Sequence, residues 1–131
     1  MFAVKWISEK KGRGLVSKQI IKAGTIIEVA HALILSEDDY YIVQDTILYG
    51  YVFEWKNDKR KKQYAIALSP AELINHSYEP NATYKLNYPD RTIIFKAIKD
   101  IHPGEEITMN YNGHNQKDAP VWFELDQSTR Y

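Results

Sequence analysis

Leu73-Ile74-Asn75-His76-Ser77-Tyr78-Glu79-Pro80-Asn81 is the stretch that decides how the rest of this chain is read. Two apolar residues run into a dense polar cluster, closed by a proline and an asparagine. Asparagine offers both amide donors and a carbonyl acceptor, and histidine offers a ring nitrogen at each edge. Such a cluster can read a ligand that carries amino, carboxylate and adenine groups. Taken by itself, it also reads as a polar turn whose side chains satisfy their own backbone. Just upstream, Ser69-Pro70 predicts one capped helical turn over 69–74, with proline at its first position.

Three further segments stand beside it. Lys11-Gly12-Arg13-Gly14-Leu15 places two glycines around one residue, which lets a backbone approach a ligand closely or simply turn. In Gly104-Glu105-Glu106-Ile107-Thr108-Met109-Asn110-Tyr111-Asn112-Gly113, a strand ends in Tyr111 before a glycine turn. That sets a phenol at the rim of a sheet, where tyrosine is ordinarily a packing residue. In Pro120-Val121-Trp122-Phe123-Glu124, a bulky aromatic pair closes the core, covers a site or docks on a second subunit.

The surrounding pattern is that of short strands. Strands are expected at Met1–Ser8, Leu15–Val16, Thr25–Val29, Ala30–Leu35, Tyr49–Trp55, Gln63–Leu68, Asn81–Leu86, Arg91–Ile98 and Glu106–Tyr111, from alternation and β-branched content. Residues 9–14 read as a turn. Ser36 followed by Glu37-Asp38-Asp39 predicts a capped helix over about 37–44. Lys56–Lys62 is a polar hairpin loop, and its basic run Lys59–Lys62 is ordinarily a solvated one. Ile21-x-x-Gly24-x-x-Ile27 recurs as Ile101-x-x-Gly104-x-x-Ile107, two similar strand–turn–strand corners.

Composition narrows the classes. The 131 residues are 44% hydrophobic, enough for one domain with its own core. Seventeen basic residues balance seventeen acidic ones, which argues against a dedicated nucleic-acid binder. There are no cysteines, so disulfides, a thiol nucleophile and a cysteine-based zinc site are excluded. The four histidines lack metal-ligand spacing, and no metal is expected. No signal peptide or membrane-span pattern is present, so the chain reads as intracellular and soluble, in a cytoplasm or a nucleus.

Jointly the motifs say more. G-x-G, then N-H-S-x-x-P-N, then G-E-E-I-T-x-N-Y, in that order within one small β-rich chain, resemble the SET-domain protein lysine methyltransferases. The resemblance covers about 11–113, and the corner Lys22–Glu28 matches the family's early strand pair. It implies a mostly β fold of small curved sheets of the β-clip type, with one or two short helices. It also implies a C-terminal pseudoknot, and a single domain over 1–131 in which 114–131 closes the site or forms an interface.

Carried over residue by residue, the resemblance implies S-adenosylmethionine bound by Gly12, Arg13, Gly14, Asn75, His76 and Tyr111, with Tyr111 catalytic at the point of methyl transfer. Tyr84 and Met109 fall at positions of the lysine channel. The partner implied is a lysine-containing protein, a histone tail among the candidates. Many family members add a cysteine-rich zinc module, which this chain cannot form. Trp122 and Phe123 are its natural substitutes over cofactor or channel. The compact form resembles viral and bacterial SET proteins, some of which build their site with a homodimer. A SET scaffold without catalysis and an unrelated β-clip interaction module are the alternatives.

Overall fold

The computed structural model describes residues 1–111. The chain runs β1 (Phe2–Ser8), β2 (Gly12–Ser17), β3 (Ile26–Leu35), α1 (Glu37–Val43), β4 (Phe53–Trp55), β5 (Gln63–Leu68), β6 (Asn75–His76), β7 (Ala82–Asn87), β8 (Thr92–Ala97) and β9 (Glu106–Met109). Short 3-10 turns cover Ile47–Tyr51 and Pro70–Leu73. The mostly β, SET-type architecture implied by the resemblance is the one observed.

Local chemistry explains several boundaries. Ser36 caps α1 by accepting the Asp39 N–H, and Asp39 accepts the Ser36 N–H in return, a reciprocal capping box. Ser69 caps the turn at 70–73 through the Ala71 N–H, and Pro70 sits in its first turn, where no intrahelical donor is needed. Between β7 and β8, Asn87 and Asp90 close the loop on each other, the Asp90 N–H donating to Asn87 Oδ1 at 3.3 Å.

Three expectations are corrected. Gly12-Arg13-Gly14 is not a turn but the start of β2, paired with β1 from Ser8↔Gly12 onward. A bulge between Trp6 and Ser8 absorbs the register change, so the turn shrinks to 9–11. The two runs 25–29 and 30–35 are one ten-residue strand, β3, because β5 pairs with one part of it and β8 with another. Residues 49–51 wind into a 3-10 turn, and only Phe53–Trp55 pair as β4.

Five strands form one sheet in the order β4-β5-β3-β8-β7. Four form the other, β1-β2-β9-β6. Phe95, Leu15, Ile21, Ile74, Ile93, Ile101 and Ile107 are fully buried and draw on both sheets and both corners. The late strand β9 is slotted between the early β2 and the two-residue β6, antiparallel to the first and parallel to the second. That insertion is the threading the resemblance implied.

The two Ile-x-x-Gly corners turn out to be partners. Ile21 and Ile101 exchange backbone hydrogen bonds, both at 2.8 Å. Gly24 and Gly104 take φ of 91° and 88°, where a side chain would be strained. Asp100 stitches the first corner by accepting the Ala23 N–H at 2.9 Å, with Lys22 beside it. The Ala23 hydrogen bond, then Lys22, hold the Asp100 carboxyl below its ordinary range. A carboxyl depressed in the folded state stabilises above its unfolded pKa and loses that contribution as pH falls through the folded value. Asp100→Asn is therefore expected to be less stable than wild type at pH 7, with the gap closing below about pH 4. Urea midpoints for both proteins across pH 2–7 check this, and a gap that does not change with pH would count against it.

Candidate active site

β9 is the axis on which the sequence motifs converge. Its parallel pairing sets Asn75 beside Thr108 and His76 beside Met109. The Ser77 N–H continues the ladder to the Met109 carbonyl at 2.9 Å. On the other edge, Leu15 and Val16 pair with Ile107 and Glu106. Two motifs far apart in sequence thus flank one strand, and the third motif is that strand.

Asn75 lies at the meeting point and is 5% exposed. Its Nδ2 donates to the Arg13 carbonyl at 3.1 Å and to Glu106 Oε2 at 2.8 Å. Glu106 Oε1 accepts from Lys11 Nζ at 2.8 Å. The network joins the Gly12–Gly14 segment, the Asn-His pair and β9.

Gly14 makes the approach possible. A Cβ there would sit 2.7 Å from Asn75 Nδ2, 2.8 Å from Glu106 Oε2 and 2.9 Å from Ile7 Cγ1. The space is thus taken by the protein's own side chains, two of them polar, which is a different use of the glycine than close approach to a ligand. Gly12, with φ of 70°, serves the backbone instead. Gly14→Ala is expected to displace the Asn75 amide and cost roughly 1–3 kcal/mol, the usual scale of overpacking. A denaturant midpoint equal to wild type would refute this.

His76 and Tyr111 face each other. The Tyr111 N–H donates to His76 Nδ1 at 3.1 Å, which makes Nδ1 the acceptor nitrogen and leaves the ring proton on Nε2. The rings lie 5.2 Å apart, and Tyr78 also meets the imidazole edge-on at 4.4 Å. The Tyr111 hydroxyl donates to the Ile74 carbonyl at 2.6 Å. That bond commits the phenol proton to a carbonyl and leaves the phenol oxygen as an acceptor.

Most of the sequence-expected residues lie on or beside β9. Gly12, Arg13, Gly14, Asn75, His76 and Tyr111 gather around β9, and Met109 is buried within it at 4% exposure. Tyr84 lies on β7 of the five-stranded sheet and joins an aromatic group there. It packs edge-on against Phe53 at 4.9 Å, and Phe53 in turn meets Phe95. Burial first, then Glu54 and Tyr88, push the Tyr84 phenol above its ordinary range. Trp122, Phe123 and the rest of 112–131 lie outside the described residues.

Sequence reasoning missed Glu106, Lys11 and Asn81. Asn81 ends the N-H-S-x-x-P-N motif and acts as a clip. Its Nδ2 donates to the Glu106 carbonyl at 2.9 Å, and its Oδ1 accepts the Thr108 N–H at 2.9 Å. A carboxylate opening a strand of buried residues was a signal for Glu106, which the sequence reading took only as the first residue of a late strand.

The SET domain family model matches residues 12–112. The chain belongs to the SET-domain family. A histone-lysine N-methyltransferase of Schizosaccharomyces pombe, specific for H3 lysine-37, is 29% identical over 123 residues, which cover 93% of this chain and 77% of the relative. Among solved structures, a Plasmodium falciparum protein provisionally assigned as a histone methyltransferase superposes with a TM-score of 0.70 at 26% identity, covering 88% of this chain and 95% of that one. A SET8 protein of Cryptosporidium shares the fold, with a TM-score of 0.68 at 21% identity over 87% of this chain and 58% of its own. By family and relative, the chain is a protein-lysine methyltransferase, and S-adenosylmethionine is the methyl donor general to that family. Among the described residues, no helix is long and apolar enough to cross a membrane.

Proposed function

We propose that this chain binds S-adenosylmethionine where the Gly12–Gly14 segment meets Asn75 and His76, and passes the methyl group to a lysine ε-amine held at Tyr111. The substrate class we infer is a histone tail, by likeness to the H3-specific relative. The observation that carries the reading is the convergence of Arg13, Asn75, Glu106, His76 and Tyr111 through four hydrogen bonds from residues as distant as 13 and 111.

The donor set suits this cofactor. Arg13 is exposed beside its own bonded carbonyl and can meet a carboxylate, and the Asn75 amide can meet an ammonium or an adenine edge. The rings of His76, Tyr78 and Tyr111 give an aromatic wall for a sulfonium or a base. When bound, the cofactor supplies a methyl group already activated on sulfur. The protein's task is alignment and a neutral amine. A free lysine has a pKa near 10.4, so about one in a few thousand is neutral at pH 7. A dry aromatic channel disfavours the ammonium form and raises that fraction. The Tyr111 oxygen then orients the amine, and fixing nucleophile and methyl in near-attack geometry lowers the barrier.

Asn75→Ala and His76→Ala are each expected to weaken cofactor binding about tenfold, the scale of one charge-assisted hydrogen bond. Titration calorimetry with S-adenosylhomocysteine measures it. Radiolabelled methyl transfer onto a lysine-peptide array tests the activity. Absence of cofactor affinity, together with absence of label on every peptide, would overturn the proposal.

A further inference from the structure

The Asn75 amide has two orientations of nearly equal shape, with nitrogen and oxygen exchanged. Here the surroundings decide between them. Nδ2 faces two oxygens, the Arg13 carbonyl at 3.1 Å and Glu106 Oε2 at 2.8 Å. Turned over, Oδ1 would stand against the same two acceptors in a site only 5% exposed. The carboxylate is the stronger of the two constraints because a bond to a charged group is worth more than one to a neutral carbonyl. It is itself held. Lys11 Nζ sits 2.8 Å from its other oxygen, and the Glu106 side chain is 16% exposed against 41% for Lys11.

We propose that Glu106 is a positioning residue that, with Lys11 as its counter-ion, fixes the Asn75 amide so that Oδ1 is the atom presented to the cofactor's ammonium group. The inference rests on the reading above that Asn75 binds the cofactor. An oxygen selects a cationic donor, whereas an inverted amide would set N–H groups against an ammonium. Glu106 thereby sets the site's preference for a ligand with a free amino-acid end, without touching that ligand.

The test compares two probes by titration calorimetry. S-adenosylhomocysteine keeps the amino-acid end, and methylthioadenosine lacks it. In Glu106→Gln, the new carboxamide must point its nitrogen either at Lys11 or at Asn75 Nδ2, and both are donors. S-adenosylhomocysteine is expected to bind about tenfold more weakly, with methylthioadenosine unchanged. Adding Lys11→Met lets that carboxamide turn its nitrogen away from Asn75 and is expected to restore most of the affinity. Equal weakening of both probes, wild-type affinity in E106Q, or no rescue in the double variant would each overturn the role. Asn75→Ala separates the layers. If it binds S-adenosylhomocysteine like wild type, the cofactor reading falls first. If it is weakened while E106Q is not, only the role of Glu106 falls. A ligand-free readout on the wild type guards against a variant that does not fold. The Asn75 side-chain NH₂ protons are expected to be protected from solvent exchange, and fast exchange of both would overturn the proposal.

Discussion

Tyr111→Phe is expected to lower kcat on a lysine peptide by roughly 100-fold, the scale on which a misplaced reacting group loses rate. The substitution keeps the ring that faces His76 at 5.2 Å and removes only the oxygen. It also removes the hydroxyl bond to the Ile74 carbonyl, at a cost of about 1 kcal/mol in stability. The backbone bond from the Tyr111 N–H to His76 Nδ1 does not depend on the phenol and is expected to persist. Cofactor affinity should therefore change little while turnover collapses. Steady-state kinetics with a calorimetric titration of the same preparation separate the two. Undiminished turnover on a good substrate would remove Tyr111 from the chemistry.

Asn81→Ala is expected to be the most destabilising single change near the site. Its amide serves both a carbonyl and an N–H of β9, those of Glu106 and Thr108. Alanine leaves both without the side chain that satisfies them, and each such group costs roughly 1–3 kcal/mol. A sum of about 2–6 kcal/mol would lower Tm by roughly 10–25 °C. Asn81→Asp keeps the acceptor for Thr108 but turns a second oxygen toward the Glu106 carbonyl, so it is no rescue. Because β9 carries Glu106 and leads into Tyr111, cofactor affinity should fall with stability. A thermal melt matching wild type would show that water or another group takes over the clip.

Where a rule is local, the sequence reading and the structure agree. Ser36 with Asp39 three residues on, and Ser69 before Pro70, specify caps within one turn of chain. The β5, β7 and β8 runs keep their alternation because one face of their sheet is buried. The reading failed where a strand is defined by its neighbours. Gly12-Arg13-Gly14 has turn composition, yet it pairs with β1 because a bulge after Trp6 holds the register. Tyr49–Tyr51 alternate like a strand, but Thr46 caps a 3-10 turn there.

The site divides along the same line. That Asn75, His76 and Tyr111 belong together was legible from their order and company, although each alone reads as a turn or a packing residue, and the structure sets His76 against Tyr111. Tyr84 and Met109 were placed by resemblance; Tyr84 packs against Phe53, and Met109 lies inside β9. Glu106, Lys11 and Asn81 were not legible, because their meaning lies in contacts across 95, 31 and 25 positions.

What the sequence by itself determined is the inventory: β-rich elements with their caps, two glycine corners, and the polar residues capable of holding a charged cofactor. What only the tertiary structure decided is how that inventory is used. Parallel pairing of Asn75-His76 with Thr108-Met109 leaves no periodic trace in two residues, and no local rule encodes it. Yet that pairing sets the Asn75 amide against Gly14, where a Cβ would collide with it, and makes a polar stretch that could have been a simple turn part of the proposed site.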